Sequence, residues 1–435
     1  MLLKLEQLPS YLRDQFPSLA NRTPAGYPLA YLDGPGGYQV PLRVIKAMED
    51  YFVKMNANAE GSYSTSIATD EMIDEARAAF ADFFGCQPDE VAFGANMTTL
   101  NFLLSQALVR EMKPGDRVII TQIDHEGNRA PWLELKERGI IIDEVSVNTA
   151  TCTLDMDDYA RKLTPNTKVV AVNYASNAVG TINDVRKFVT MAKEVGAYTV
   201  VDAVHYAAHA PIDVREIGCD FLLCSVYKFF GPHVGAMYAR KEVLGKLRPL
   251  RVEPARPYPP YRIETGTLNH EGIAGAMAAV DFVADAGRKF AGDLTEDLKR
   301  LAGRRRDVVA GLLAFSHYED DLANFLVNGL SKLPQITIYS PPPGYPRTST
   351  VSFTYRGFNS RLVAQYLDSL GILVWDGDFF ATTLVTKLGV MDQGGLIRVG
   401  IAPYNTREEL TRLLDALADT DSIQAFSEKK APAGN

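Results

Sequence analysis

Through the first two thirds of the chain, short apolar runs alternate with longer stretches in which apolar residues recur at helical spacing. The runs at 90–94, 117–122, 140–147, 168–174, 198–204, 221–225 and 234–239 are almost wholly apolar at their centres. That is the pattern of strands buried on both faces. Between them, 72–84, 98–112, 130–138 and 185–195 read as amphipathic helices. Strand–helix alternation of this length predicts an α/β fold, with a mostly parallel seven-stranded sheet between helices. In such sheets ligands bind at the carboxyl ends of the strands.

From about residue 281 the pattern changes. Charged helical stretches at 284–314 and 319–333 lead into a proline-rich turn at 340–346. A strand at 350–355, a helix at 361–370, strands at 372–374 and 396–401 and a closing helix from Thr406 predict a smaller α+β unit. The expected division is a large domain over 21–285 and a small domain over 286–425 joined by residues 1–20. The polar tail, 426–435, is expected to be disordered.

Composition narrows the class. A chain of 435 residues exceeds the roughly 250–300 residues at which one core stops growing, so two domains are expected. A net charge of −8 argues against a nucleic-acid partner, which normally shows a basic patch. No apolar run approaches the roughly 18 residues of a membrane span. The N-terminal stretch is interrupted by charges and Pro9, unlike a secretory signal. A cytoplasmic protein with no membrane partner is expected. The four cysteines, Cys86, Cys152, Cys219 and Cys224, lack CxxC spacing and read as reduced, mostly buried thiols. No metal site is expected.

Candidate chemistry concentrates where strands end. The run 198–201 delivers Asp202, and the run 221–224 delivers Ser225 and then Lys228 before a Gly-Pro turn. Burial disfavours a charged lysine, and the chemistry that uses a lysine in such a place is condensation with a carbonyl. With pyridoxal phosphate, a carboxylate facing the pyridine nitrogen completes the pair, and Asp202 is the candidate. A cofactor phosphate needs backbone N–H donors at a helix start, which Asn96 and Met97 supply after the strand ending at Gly94. Gly34, Gly36 and Gly37 precede any strand–helix unit and lack GxGxxG spacing, against a nicotinamide dehydrogenase.

These motifs together resemble the aminotransferase class V family of pyridoxal phosphate enzymes (fold type I), nearest its cysteine desulfurase-like branch, from about Tyr31 to about Leu414. The resemblance implies that His125, followed by Pro131-Trp132, stacks on the cofactor ring. His205 falls where relatives carry a glutamine near the ring hydroxyl. Ser225 and Tyr227 fall at phosphate-contacting positions, Tyr227 where a histidine is usual. Thr267 matches a threonine that reaches the partner subunit's phosphate, which implies a homodimer with a shared active site. Asn177 and Arg398 match positions that hold a substrate α-carboxylate, to which an arginine fork is suited.

Two departures stand out. Counted from Gly377, the position of the desulfurase cysteine falls on Phe380, and Glu60 lies near where relatives carry a basic residue. A carbon–sulfur lyase acting on cysteine or a cysteine S-conjugate is therefore the leading expectation. Trp375, Phe379 and Phe380 suggest either a bulky apolar substrate portion lined by Phe380 or simple packing. An aminotransferase, an epimerase, a desulfurase using another thiol and a non-catalytic cofactor-binding protein stay open.

Overall fold

The computed structural model describes residues 3–290 and 298–430. Its main sheet contains β1 (Val91–Gly94), β2 (Arg117–Thr121), β3 (Ile141–Val145), β4 (Thr167–Asn173), β5 (Tyr198–Asp202), β6 (Phe221–Ser225) and β7 (Gly235–Ala239). Their spatial order is β1-β7-β6-β5-β4-β2-β3. Only β7 runs antiparallel to its neighbours, β1 and β6; the other pairs are parallel. Every residue of β6 and β7 is buried, as expected of central strands covered by helices on both faces. All seven expected strands are present, each within three residues of its expected bounds.

A second, antiparallel sheet is built from β8 (Ile336–Tyr339), β9 (Thr350–Tyr355), β10 (Trp375–Gly377) and β11 (Leu396–Gly400), in the order β8-β9-β11-β10. The expected strand at 372–374 does not join it. Ile372–Leu373 instead pairs in parallel with Ala30–Tyr31, so the N-terminal segment is stitched to the C-terminal part of the chain.

The helices depart most from expectation. Helix His270–Phe290 and helix Gly303–Leu330 replace the expected pair at 284–314 and 319–333. The part of the first that covers 291–297 lies outside the described residues. No break occurs near 315–318, because Leu312, Phe315, Leu322 and Leu326 keep one buried stripe through that stretch. The two helices cross at glycines. A Cβ on Gly287 would collide with the Asp307 carbonyl, and one on Gly311 with the Val283 carbonyl, so only glycine allows this approach. Within the tail expected to be disordered, 426–430 belongs to helix Thr420–Lys430, held by buried Ile423; 431–435 lies outside the described residues. No helix among the described residues is long and apolar enough to cross a membrane.

Candidate active site

The carboxyl ends of β4, β5 and β6 open into one pocket, whose wall includes Asn177, Asp202, His205, Ser225, Tyr227 and Lys228. Met97 at the start of helix Met97–Leu108 and His125 after β2 close it on further sides. Gly235 allows the helix start to come this close, since a Cβ there would strike the Asn96 backbone. The Met97 N–H donates to Ser225 Oγ (2.9 Å), tying helix start to strand end. Asn96 does not line the pocket with its side chain. It is the N-cap, and its Oδ1 accepts from Thr99 N (2.9 Å) and Thr99 Oγ1 (3.1 Å), satisfying donors that the helix itself cannot.

Lys228 follows β6 in a short 3-10 turn. Its ammonium donates to the carbonyls of Pro35 and Gly36. Burial and the nearby Arg398 charge lower its pKa to about 7, against an opposing pull from Asp33 and Asp202. Asp202 ends β5, with Oδ1 accepting from Val204 N (2.9 Å). Burial raises its carboxyl to about 7, and Asp124 adds to the rise. His125 caps helix Glu126–Leu133, with Nδ1 accepting from Gly127 N (2.9 Å). Burial, with the Lys228 and Arg398 charges, holds its pKa down at about 4, so the imidazole is neutral near pH 7.

His205 is buried, with Nε2 within hydrogen-bond distance of Thr348 Oγ1 (3.0 Å) and Thr350 Oγ1 (3.1 Å), which links the pocket to β9. Burial, chiefly, and the neighbouring His209 push its pKa well below the usual value. Tyr227 stacks on His233 (centroids 4.6 Å apart) and lies under the Lys228 ammonium. Thr267 is apart from all of these. It is exposed, on the wall of a separate cleft with Asn58, Glu60, Val252 and Arg256, where Glu60 pairs with Arg256 (2.7 Å).

Arg398 is buried on β11. Its Nη2 pairs with Asp33 (2.7 Å) and its Nη1 donates to the Asn177 carbonyl (3.1 Å). Asn177 Nδ2 in turn donates to the Phe379 carbonyl (2.8 Å). Two polar atoms here have no partner among the described residues: Arg398 Nε, a donor, and Asn177 Oδ1, an acceptor. A carboxylate would meet the first, and a hydroxyl or amine the second. A buried amine near neutrality, a buried carboxyl and a helix start on the same pocket fit a phosphorylated pyridine aldehyde.

Three residues at this site have no counterpart in the sequence reading. Asp33 holds Arg398, Pro35 holds Lys228, and buried Asp124 accepts from Asn173 N (2.7 Å) beside Asp202. The Asp-Gly-Pro-Gly-Gly loop was a usable signal, because so many turn residues after Tyr31-Leu32 mark a close backbone approach.

The aminotransferase class-V family model matches residues 30–305 and 308–413. A cysteine desulfurase of Pectobacterium atrosepticum is 29% identical over 422 residues, spanning 93% of this chain and 96% of its own. The apo cysteine desulfurase of Thermococcus onnurineus NA1 superposes with a TM-score of 0.83 at 27% identity, over 96% of this chain and 99% of that one. A cysteine desulfurase of Escherichia coli has the same fold, with a TM-score of 0.79 at 23% identity over 97% of this chain and 98% of that one.

Proposed function

The chain belongs to the aminotransferase class-V family and is a cysteine desulfurase-like, pyridoxal phosphate-dependent enzyme, and we propose that it catalyses β-elimination from cysteine or a cysteine S-conjugate. When bound, pyridoxal phosphate supplies a carbonyl that captures the substrate amine and a ring that accepts electrons. Lys228 would carry the cofactor, and its amine, with a pKa near 7, is matched to taking the Cα proton at neutral pH. Asp202 would hold the ring nitrogen, His125 would cover a ring face, and His205 would lie near the ring hydroxyl. The Asn96-Met97 helix start, with Ser225 and Tyr227, would hold the phosphate. Arg398 would bind the α-carboxylate through its free Nε, with Asn177 beside it.

In this reading the Cα proton passes to Lys228 and the Cβ–S bond breaks with its electron pair leaving on sulfur. With one water, an S-conjugate gives a thiol, pyruvate and ammonia, and cysteine gives hydrogen sulfide, pyruvate and ammonia. Phe380 carries the argument: the loop position that would need a nucleophile holds an exposed phenylalanine. The four thiols offer no substitute. Cys152, Cys219 and Cys224 are buried and Cys86 is partly buried; burial raises the thiol pKa of each, against the thiolate that sulfur transfer requires. None of the four lines the pocket.

The test is product analysis after incubating cofactor-loaded protein with L-cysteine, cystine and a cysteine S-conjugate. Pyruvate and ammonia in equal amounts support the lyase; alanine would mean desulfuration, a keto acid that retains the substrate's sulfur would mean transamination, and racemised substrate would mean epimerisation.

The working unit we propose is a homodimer, with Thr267 serving the partner's site. Thr267 is exposed and lines a cleft separate from its own Lys228 pocket, Val252 in that cleft is exposed, and Phe52 and Val53 on helix Leu42–Lys54 are apolar side chains in water. Such surface is usually covered by a partner.

A further inference from the structure

We propose that Trp375, Phe379 and Phe380 form an aromatic wall beside Arg398 that selects amino acids carrying a large apolar or aromatic side-chain group. The proposal rests on Arg398 as the α-carboxylate site and narrows the substrate class to S-conjugates such as S-benzyl-L-cysteine, over L-cysteine itself.

Three independent placements support it. Trp375 on β10 lies directly opposite Arg398 on β11, and directly opposed residues of an antiparallel pair share a face. Trp375 is therefore on the Arg398 side of the sheet, yet is 49% exposed. The Phe379 ring lies against the guanidinium, whose Cζ is 4.4 Å from its centroid. The Phe380 ring lies along His125, at 5.6 Å and 29°, and is 67% exposed.

The backbone is bent to achieve this. Phe379 and Phe380 both have positive φ, 57° and 56°, a region that bulky side chains avoid. The bend is fixed from outside the loop, by Asn177 Nδ2 on the Phe379 carbonyl (2.8 Å) and Glu126 N on the Phe380 carbonyl (2.7 Å). Asp378 braces it from within, accepting from Phe380 N (3.1 Å) and Thr382 Oγ1 (2.6 Å). Asn177 and His125 are pocket residues, so the wall is hung on the site itself. Packing does not account for Trp375 and Phe380, which leave large apolar area in water. A ligand group seated there would cover it.

The experiment is a pair of binding titrations on cofactor-loaded protein, with S-benzyl-L-cysteine and S-methyl-L-cysteine, read by calorimetry and by the absorbance of the bound cofactor. Wild type should prefer the benzyl ligand by about tenfold or more, the scale on which apolar pockets discriminate. Trp375→Ala and Phe380→Asn should each reduce that preference at least about threefold; asparagine tolerates the left-handed backbone, so the turn survives the loss of the ring. No preference in wild type, or a preference unchanged in either variant, overturns the wall. Pyruvate release is followed in the same samples: a binding preference without pyruvate defeats the lyase reading alone, and pyruvate without a preference defeats the wall alone.

Discussion

A lysine with its ordinary pKa of 10.5 is almost wholly an ammonium at neutral pH, and an ammonium cannot condense with a carbonyl. Burial, with help from Arg398, brings Lys228 to about 7. At pH 7 about half of it is then a free amine, against about three parts in ten thousand without the shift, an advantage on the order of a thousandfold for the same chemistry. The assay is to mix cofactor-free protein with pyridoxal phosphate at a series of pH values, quench with borohydride, and count labelled protein against time. The rate should rise with pH and level off around an inflection near 7. In Arg398→Met, removal of a neighbouring cation should move the inflection upward. Lys228→Ala should take no label. An inflection near the ordinary lysine value, or label retained in Lys228→Ala, would refute the reasoning.

Other consequences follow from the same site. Asp202 titrates at about 7 in the folded chain against an ordinary 3.8, so the folded state holds its proton longer. In the cofactor-free protein its contribution to stability is present below pH 3.8 and is lost as pH rises through 7; denaturant melts of Asp202→Asn should lose that component, and its turnover should fall by roughly a hundredfold or more, the scale of removing one preorganised electrostatic contact. Arg398→Met should cost about 3–5 kcal/mol of stability, because Asp33 is left buried without its partner; urea titration should show Asp33→Asn recovering part of it in the double variant. Light scattering should give a dimer, and a monomer that still turns over substrate would remove Thr267 from the site.

The sheet was legible in the sequence because each strand is a short apolar run bounded by polar turns, and burial on both faces leaves no other reading of Val169–Val172 or Phe221–Cys224. Strand-end residues were legible for the same reason: once Asp202 and Ser225 end neighbouring parallel strands and Lys228 follows in the turn after the second, they must lie at the same rim. Helices over 270–330 were misdivided because charge content hid the buried stripe that runs through Phe315. β10 was hidden because Trp375-Asp376-Gly377 reads as a turn and is ordered only by its pairing with β11. Asn96 shows a finer limit. Its place at a helix start was visible, but that its side chain is spent on Thr99 depends on the cap geometry. Asp33 lay about 365 residues from its partner in sequence, a distance over which spacing carries no information.

The most direct test of the central claim, that sulfur leaves without a protein thiol to receive it, is the intact mass of the protein after turnover of L-cysteine in the absence of reductant. The protein mass should be unchanged, with pyruvate accumulating in solution. A protein heavier by a sulfur atom at Cys86, Cys152, Cys219 or Cys224, with alanine as the product, would contradict it.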